Sequence, residues 1–374
     1  MITRQFSLEQ MPGYPLEREF NINDILFFDI ETTGLSAETS YLYLIGCAYY
    51  DNSSFQILQW FSEDIKEEVL LLTSFFEFAK NYSVLIHYNG SGFDIPYLQH
   101  KCALHHLEYS FDHLSGIDLY KKILPYKKIL HLDSLKLASL EAFLKIRRRD
   151  KFSGGELIQV YQAYLGKKHY EKLKKLRNPG ISFPAPSEAE LLLGQLLLHN
   201  EDDIRGLLEI CPILNYARLF EKPIRIKEAC VEKDLLKVAF DISVSLPVPV
   251  QFGNDLVRVA AADRAGTLSV RIFEGELKHF YENYKDYYYL PAEDTAVHKS
   301  LAQYVDKEFR EKAKPANCYI RKQGHFAPQY EAMISPCFKM DFKDKRSYIE
   351  IHTDFLLQED TLERYVKHLL SSCL

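Results

Sequence analysis

No part of the 374-residue sequence approaches the roughly 18 consecutive apolar residues that a membrane span needs. Its longest apolar runs, such as Leu191–Leu193 and Leu196–Leu198, are broken within a few residues. The opening MITRQFSLEQMPGYPLEREF has no apolar signal core, so the expected location is the cytoplasm. Cysteine is sparse: seven residues, odd in number and scattered, with no CxxC pair. That spacing excludes a disulfide framework and a cysteine-rich zinc module. Repeats and low-complexity tracts are absent. At 47% hydrophobic and 26% charged, a largely disordered or collagen-like chain is excluded as well. The length exceeds what one core usually holds, so two domains are expected.

A net charge of −6 argues, taken alone, against a nucleic-acid partner. The distribution argues otherwise. Lys121 to Arg177 holds 16 Lys/Arg against 5 Asp/Glu. A basic middle in an acidic protein creates one surface attractive to phosphates.

Asp24–Ile30 reads as a short buried strand, Tyr41–Tyr50 as a second and Phe55–Phe61 as a third. Asp64–Tyr82 has helical periodicity behind a capping Asp64, and Ser83–His87 is a fourth strand. The turn Asn89–Gly92 then leads to a helix from about Asp94. Residues 134–213 are mostly helical, and Ser187 with Glu190 fits a capping box. Strands followed by strands alternating with helices give an α/β mixed sheet flanked by helices. After Pro223 the pattern changes to the alternation of Leu236–Leu246 and Thr267–Ile272, with helices expected over 295–312 and 361–370. The expected organisation is an extension over 1–22, an α/β domain over 23–222 and a second α+β domain over 223–374.

Acidic residues fall where they can converge. Asp29 and Glu31 sit two apart in a strand and face one side. Asp94 opens a helix after a glycine-containing turn. Asp203 follows His199 by four, which places both on one helix face. Four gathered carboxylates repel one another unless cations neutralise them, and oxygen donors suit Mg²⁺ or Mn²⁺. Two such ions about 3.5–4 Å apart can activate water and stabilise the leaving oxygen of a phosphodiester. His199 is placed to take the proton of the attacking water as general base.

These residues carry a resemblance. Phe28-Asp-Ile-Glu-Thr-Thr-Gly-Leu35 resembles the first motif of the DEDD 3′→5′ exonucleases, which have a ribonuclease H-like fold. Asn89-Gly-Ser-Gly-Phe-Asp94 is similar to their second motif, and His199-Asn-Glu-Asp-Asp203 stands where the third belongs. The resemblance spans roughly residues 24–215. It looks closest to the bacterial YprB-like branch, with Leu135–Ile146 and Ser153-Gly-Gly-Glu156 adding to it. It implies Asp29, Glu31, Asp94 and Asp203 as ligands of two Mg²⁺ or Mn²⁺ ions and His199 as base. It further implies that Thr32 and Leu35 contact the terminal nucleotide, with Asn89 of the second motif counted among the substrate-binding residues. The family spacing selects Asp203 over its neighbour Asp202. The third motif departs from the family's forms, Tyr four residues before the Asp or His five before it, because His stands four before it here.

The function expected is therefore a metal-dependent nuclease, a 3′→5′ exonuclease on DNA or RNA, with no membrane partner. Two rivals remain: a nucleic-acid binder of the same fold with little turnover, and a small-nucleotide phosphohydrolase. Arg147–Arg149, Lys167, Lys168, Lys172, Lys174, Lys175 and Arg177 are candidate phosphate contacts. His100, Cys102, His105, His106 and His113 invite a zinc reading, but a helix from Asp94 splits them between faces. Tyr281, Tyr284 and Tyr287–Tyr289 read mainly as core and strand residues.

Overall fold

The computed structural model describes residues 1–8, 13–181, 183 and 185–374. The chain forms two compact units, residues 1–127 with 132–214 and residues 128–131 with 215–374.

The first unit is built on six strands: Ile2–Leu8 (β1), Ile25–Thr32 (β2), Leu42–Asp51 (β3), Ser54–Phe61 (β4), Val84–His87 (β5) and Ser115–Asp118 (β6). Their order across the sheet is β1-β4-β3-β2-β5-β6. The first three pairings are antiparallel, while β2–β5 and β5–β6 are parallel. The mixed sheet expected from the sequence is therefore present. The N-terminal segment, expected to be an extension, instead supplies the edge strand, pairing from Ile2↔Phe61 to Leu8↔Phe55. The first unit also closes at residue 214, earlier than the expected 222.

Among the described residues, the α-helices that accompany this sheet are Glu68–Ala79 (α1), Asp94–Leu104 (α2), Leu119–Ile123 (α3), Leu137–Phe143 (α4), Gly154–Arg177 (α5) and Glu188–Ile210 (α6). Alternation along β2 divides the core. Leu26, Phe28 and Ile30 pack with Phe75 and Phe76 of α1 and Leu98 of α2. On the opposite side, Tyr43, Leu44 and Phe61 pack with Tyr161 and Tyr164 of α5 and Leu196 of α6. Asp29 and Glu31 belong to that second face, opposite Gly46 and Leu44.

The chain enters the second unit through Leu214–Glu221 (α7). Ile224–Glu232 (β7), Leu235–Gly253 (β8) and Val257–Arg271 (β9) form one antiparallel sheet. Then come Phe273–Phe280 (β10), Tyr287–Leu290 (β11), Thr295–His298 (β12), Lys299–Ala302 (α8), Glu311–Lys312 (β13), Tyr319–Gln329 (β14), Ser347–Glu350 (β15), Thr353–Leu357 (α9) and Glu359–Ser371 (α10). They make two further three-stranded sheets, β10-β14-β15 and β12-β11-β13. The helix expected over 295–312 is not formed as such. Asp294, at φ 50, turns the chain and accepts hydrogen bonds from the Tyr289 and Tyr319 hydroxyls, so Thr295–His298 returns beside Tyr287–Leu290 as a hairpin. Tyr281 stacks on Tyr287 at 4.4 Å, and both pack on Ala296, Ala313 and Cys318 as core residues do. Among the described residues, no helix is long and apolar enough to cross a membrane.

Candidate active site

Strand β2 is the central support. Its residues 25–28 are buried β-branched, leucine and phenylalanine side chains, which fit a strand covered on both faces. Asp29 and Glu31 follow at its end, where a bulge between Glu31 and Thr32 breaks the register with β3. Bulges of this kind re-aim side chains beside functional sites.

Asp94 reaches the same place from a turn. Asn89 adopts φ 56, a left-handed conformation that asparagine tolerates. Its N–H donates to Asp118 Oδ1 at 2.9 Å, and the Gly90 N–H donates to His87 Nδ1 at 3.1 Å. A Cβ on Gly90 would stand 2.8 Å from the His87 ring, so only glycine fits there. The turn ends with Asp94 as the first residue of α2, its carboxylate accepting hydrogen bonds from its own N–H and that of Ile30.

The third element is α6. Ser187 and Glu190 cap it reciprocally, as expected. Asn200 is fully buried, and its Nδ2 donates to Asp29 Oδ2 at 3.1 Å. Behind it, Gln59 Nε2 donates to Asn200 Oδ1 at 2.9 Å. Gly46 makes room for this relay, since a Cβ there would lie 2.0 Å from Asn200 Oδ1. On the same helix, His199 Nδ1 meets Asp150 Oδ2 at 2.5 Å. Its Nε2 stands 3.3 Å from Asp203 Oδ2 and 3.6 Å from Glu31 Oε1. Arg148 donates to Asp203 Oδ1 at 2.7 Å and to both oxygens of the buried Glu141 at 3.2 Å.

The neighbouring acid is otherwise occupied. Asp202 accepts from the N–H groups of Arg149 and Asp150 and from the Arg149 side chain. Burial opposes its ionisation, yet these donors hold its carboxyl below the ordinary range. Asp203, not Asp202, faces Glu31 and His199.

Crowding has an electrostatic cost. Burial, then the charges of Asp203, Glu31 and Asp94, raises the Asp29 carboxyl well above its usual value, and the Asn200 hydrogen bond works the other way. Glu31 is raised by burial and then by Asp203 and Asp94. Burial pushes Asp94 up to about 7. Such a cluster gains by taking up positive charge, and its oxygen donors fit a hard divalent cation. Glu31, His199 and Asp203 each offer a ligand atom, and those atoms lie within 4.8 Å of one another. They are the one such group found among the described residues.

The family model of the RNase H superfamily matches residues 26–215, half of the chain. The chain belongs to the RNase H superfamily. No curated protein matches it. Among solved structures, the family B DNA polymerase of the hyperthermophilic archaeon Pyrobaculum calidifontis is similar at 12% identity and a TM-score of 0.32. The alignment covers 70% of this chain and 35% of the polymerase.

Within the superfamily domain, the remaining expected residues separate. Leu35 and Asn89 line a cleft of about 660 Å³ together with Asp29, Tyr88, Phe93 and Asp94. Leu35 is 87% exposed. Thr32 is turned inward, its Oγ1 donating to Gly34 O at 2.8 Å, so it braces the turn below Leu35. The lysines lie elsewhere. Lys167 pairs with Glu188 at the start of α6, eleven residues before His199, and Lys172, Lys174 and Lys175 lie beyond it on α5. Lys172 and Lys175 line one cavity with Ala189 and Leu193 of α6, which precede His199 by about 9–15 Å of helix rise. Lys172 and Lys175 share a second cavity of about 660 Å³ with Tyr164 and Phe183, while Lys174 lies over the Tyr170 ring. Arg148 and Arg149, read as phosphate contacts, are engaged by internal carboxylates. In the group set aside as a zinc site, His105 bonds Glu68 at 2.7 Å and Cys102 is buried in the core.

Sequence reasoning missed Asp150, Glu141, Asn200 and Gln59, and gave Arg148 a different role. One signal was available: a glycine inside a buried strand, Gly46, marks a close approach of another group.

Proposed function

We propose that this chain is a divalent-metal-dependent nuclease of the YprB-like branch that removes nucleotides from the 3′ end of DNA or RNA, using two Mg²⁺ or Mn²⁺ ions. The observation that carries the reading is the meeting of Asp29, Glu31, Asp94 and Asp203 with His199 at the end of one strand. Bound there, divalent ions would supply an activated water and offset charge on the departing oxygen. The chain's own residues do the holding. Asn200 fixes the Asp29 carboxylate, the Ile30 N–H fixes Asp94, and Arg148 fixes one oxygen of Asp203. Beside them, Leu35 and Phe93 offer apolar surface to the terminal base, with Asn89 on the cleft wall. An apolar side chain held in water at the mouth of an acidic cleft suits base stacking.

The test incubates purified protein and Mg²⁺ or Mn²⁺ with DNA and RNA labelled at either end, single- and double-stranded. A 3′ label should leave as mononucleotide while a 5′ label marks a shortening ladder, and EDTA should stop both. Internal fragments appearing first would overturn the exonuclease assignment. Binding without cleavage would favour the non-catalytic rival, and cleavage of free nucleotides alone would favour the phosphohydrolase.

A further inference from the structure

The sequence led us to expect His199 as the general base, and its surroundings indicate a different use. We propose that His199 is a metal ligand, forming with Glu31 and Asp203 a mixed nitrogen–oxygen site that favours Mn²⁺ over Mg²⁺. The inference deepens the nuclease reading and rests on it for the presence of a metal.

The tautomer comes first. Asp150 is almost fully buried, and its Oδ2 lies 2.5 Å from His199 Nδ1. A carboxylate only accepts, so Nδ1 carries a proton, which leaves Nε2 as the ring atom whose lone pair a metal would take. That lone pair faces Asp203 Oδ2 at 3.3 Å and Glu31 Oε1 at 3.6 Å. Both distances exceed the ~2.7–2.9 Å of a charge-assisted hydrogen bond. They match the separation of atoms sharing one ion, since ligands about 2.0–2.2 Å from a metal stand roughly 3–3.6 Å apart. Three electron pairs converging in a buried place repel unless a cation lies among them.

The departure in the third motif acquires a reason here. A spacing of four puts His199 and Asp203 one above the other on α6. Arg148 takes Asp203 Oδ1 and leaves Oδ2 facing the imidazole. Asp150 behind His199 completes the carboxylate–histidine–metal arrangement common at metal centres. Imidazole suits first-row transition ions, whereas Mg²⁺ keeps to oxygen donors and water.

Full-length protein stripped with EDTA is titrated with Mn²⁺ in the absence of nucleic acid, with Mg²⁺ as competitor. Bound Mn²⁺ is examined by electron spin-echo modulation, which reads directly bonded ¹⁴N. Wild type should show the nitrogen coupling and His199→Gln should lose it. The preference for Mn²⁺ over Mg²⁺ should fall at least about tenfold in that variant. Asp150→Asn should weaken Mn²⁺ binding by about 10–100-fold. If His199→Gln does not fold, the wild-type spectrum decides alone. Bound Mn²⁺ without nitrogen coupling would overturn the inference and leave the nuclease reading standing. Equal metal preference in wild type and His199→Gln would do the same. No Mn²⁺ binding at all would remove both.

Discussion

Asp29 shows how one side chain is made both costly and useful. It is held among three other carboxylates, and the amide of Asn200 supports its charged form. Removing the charge should therefore relieve the metal-free protein while ruining the site. We expect Asp29→Asn and Asp203→Asn to lower turnover by about a hundredfold or more, a loss at or beyond that typical of outer-shell partners. Asp29→Asn should melt no lower than wild type in EDTA; turnover and melting measured together check both statements. Near-normal turnover would remove these residues from the metal site. The same crowding fixes a pH dependence. Carboxyls raised in the folded state disfavour folding once they ionise, so the metal-free protein should lose stability as pH rises above about 4, with the Asp94 share of that loss complete somewhat above its value of about 7. For Asp94 alone the difference between pH 5.5 and pH 8 is about 2 kcal/mol. Saturating Mn²⁺ should shrink it, and urea unfolding at the two pH values, with and without metal, reads the change.

At the scale of elements, the site depends on α6 fitting closely against β3. Gly46→Ala would press a methyl group into Asn200, which must move and release Asp29. A stability loss of about 1–3 kcal/mol is expected from overpacking, together with weaker metal binding. Ser187→Ala provides the contrast. It removes the cap of the same helix at about 1 kcal/mol but leaves the distant His199 end in place, so activity per folded molecule should hold. Comparing melting with activity separates the two variants. The contrast also explains what was readable beforehand. The β2 run and the Ser187 capping box are local patterns, and they appeared where the sequence put them. Strand β1 was passed over because an edge strand with mostly exposed side chains carries little alternation. The hairpin at Thr295 has Asp294 accepting from Tyr289 within the hairpin and from Tyr319 of a later strand, a contact no local pattern shows. Asp150 was obscured by the three arginines before it, which look like a surface patch until Asp203 and Asp202 are folded against them.

Across the molecule, charge and distance set what a long substrate would feel. The protein is acidic overall, yet Lys172 and Lys175 line one cavity with Ala189 and Leu193, about 9–15 Å of helix rise before His199. A duplex rises 3.4 Å per base pair, so about three to four base pairs separate the two places. A very short substrate held at the carboxylates does not reach these lysines, whereas a long strand can. Each phosphate contact steepens the salt dependence of binding by roughly 0.7–0.9. Reversing Lys172 and Lys175 to Glu should flatten that slope by about 1.4–1.8 and weaken binding of long substrates, with short ones little changed. Lys174→Glu, on a different face against Tyr170, should do less. Binding of long and short oligonucleotides measured across a salt series separates the cases. Equal losses on both lengths would indicate damage to the fold or the site, and an unchanged slope would make the lysines part of an ordinary solvated helix face.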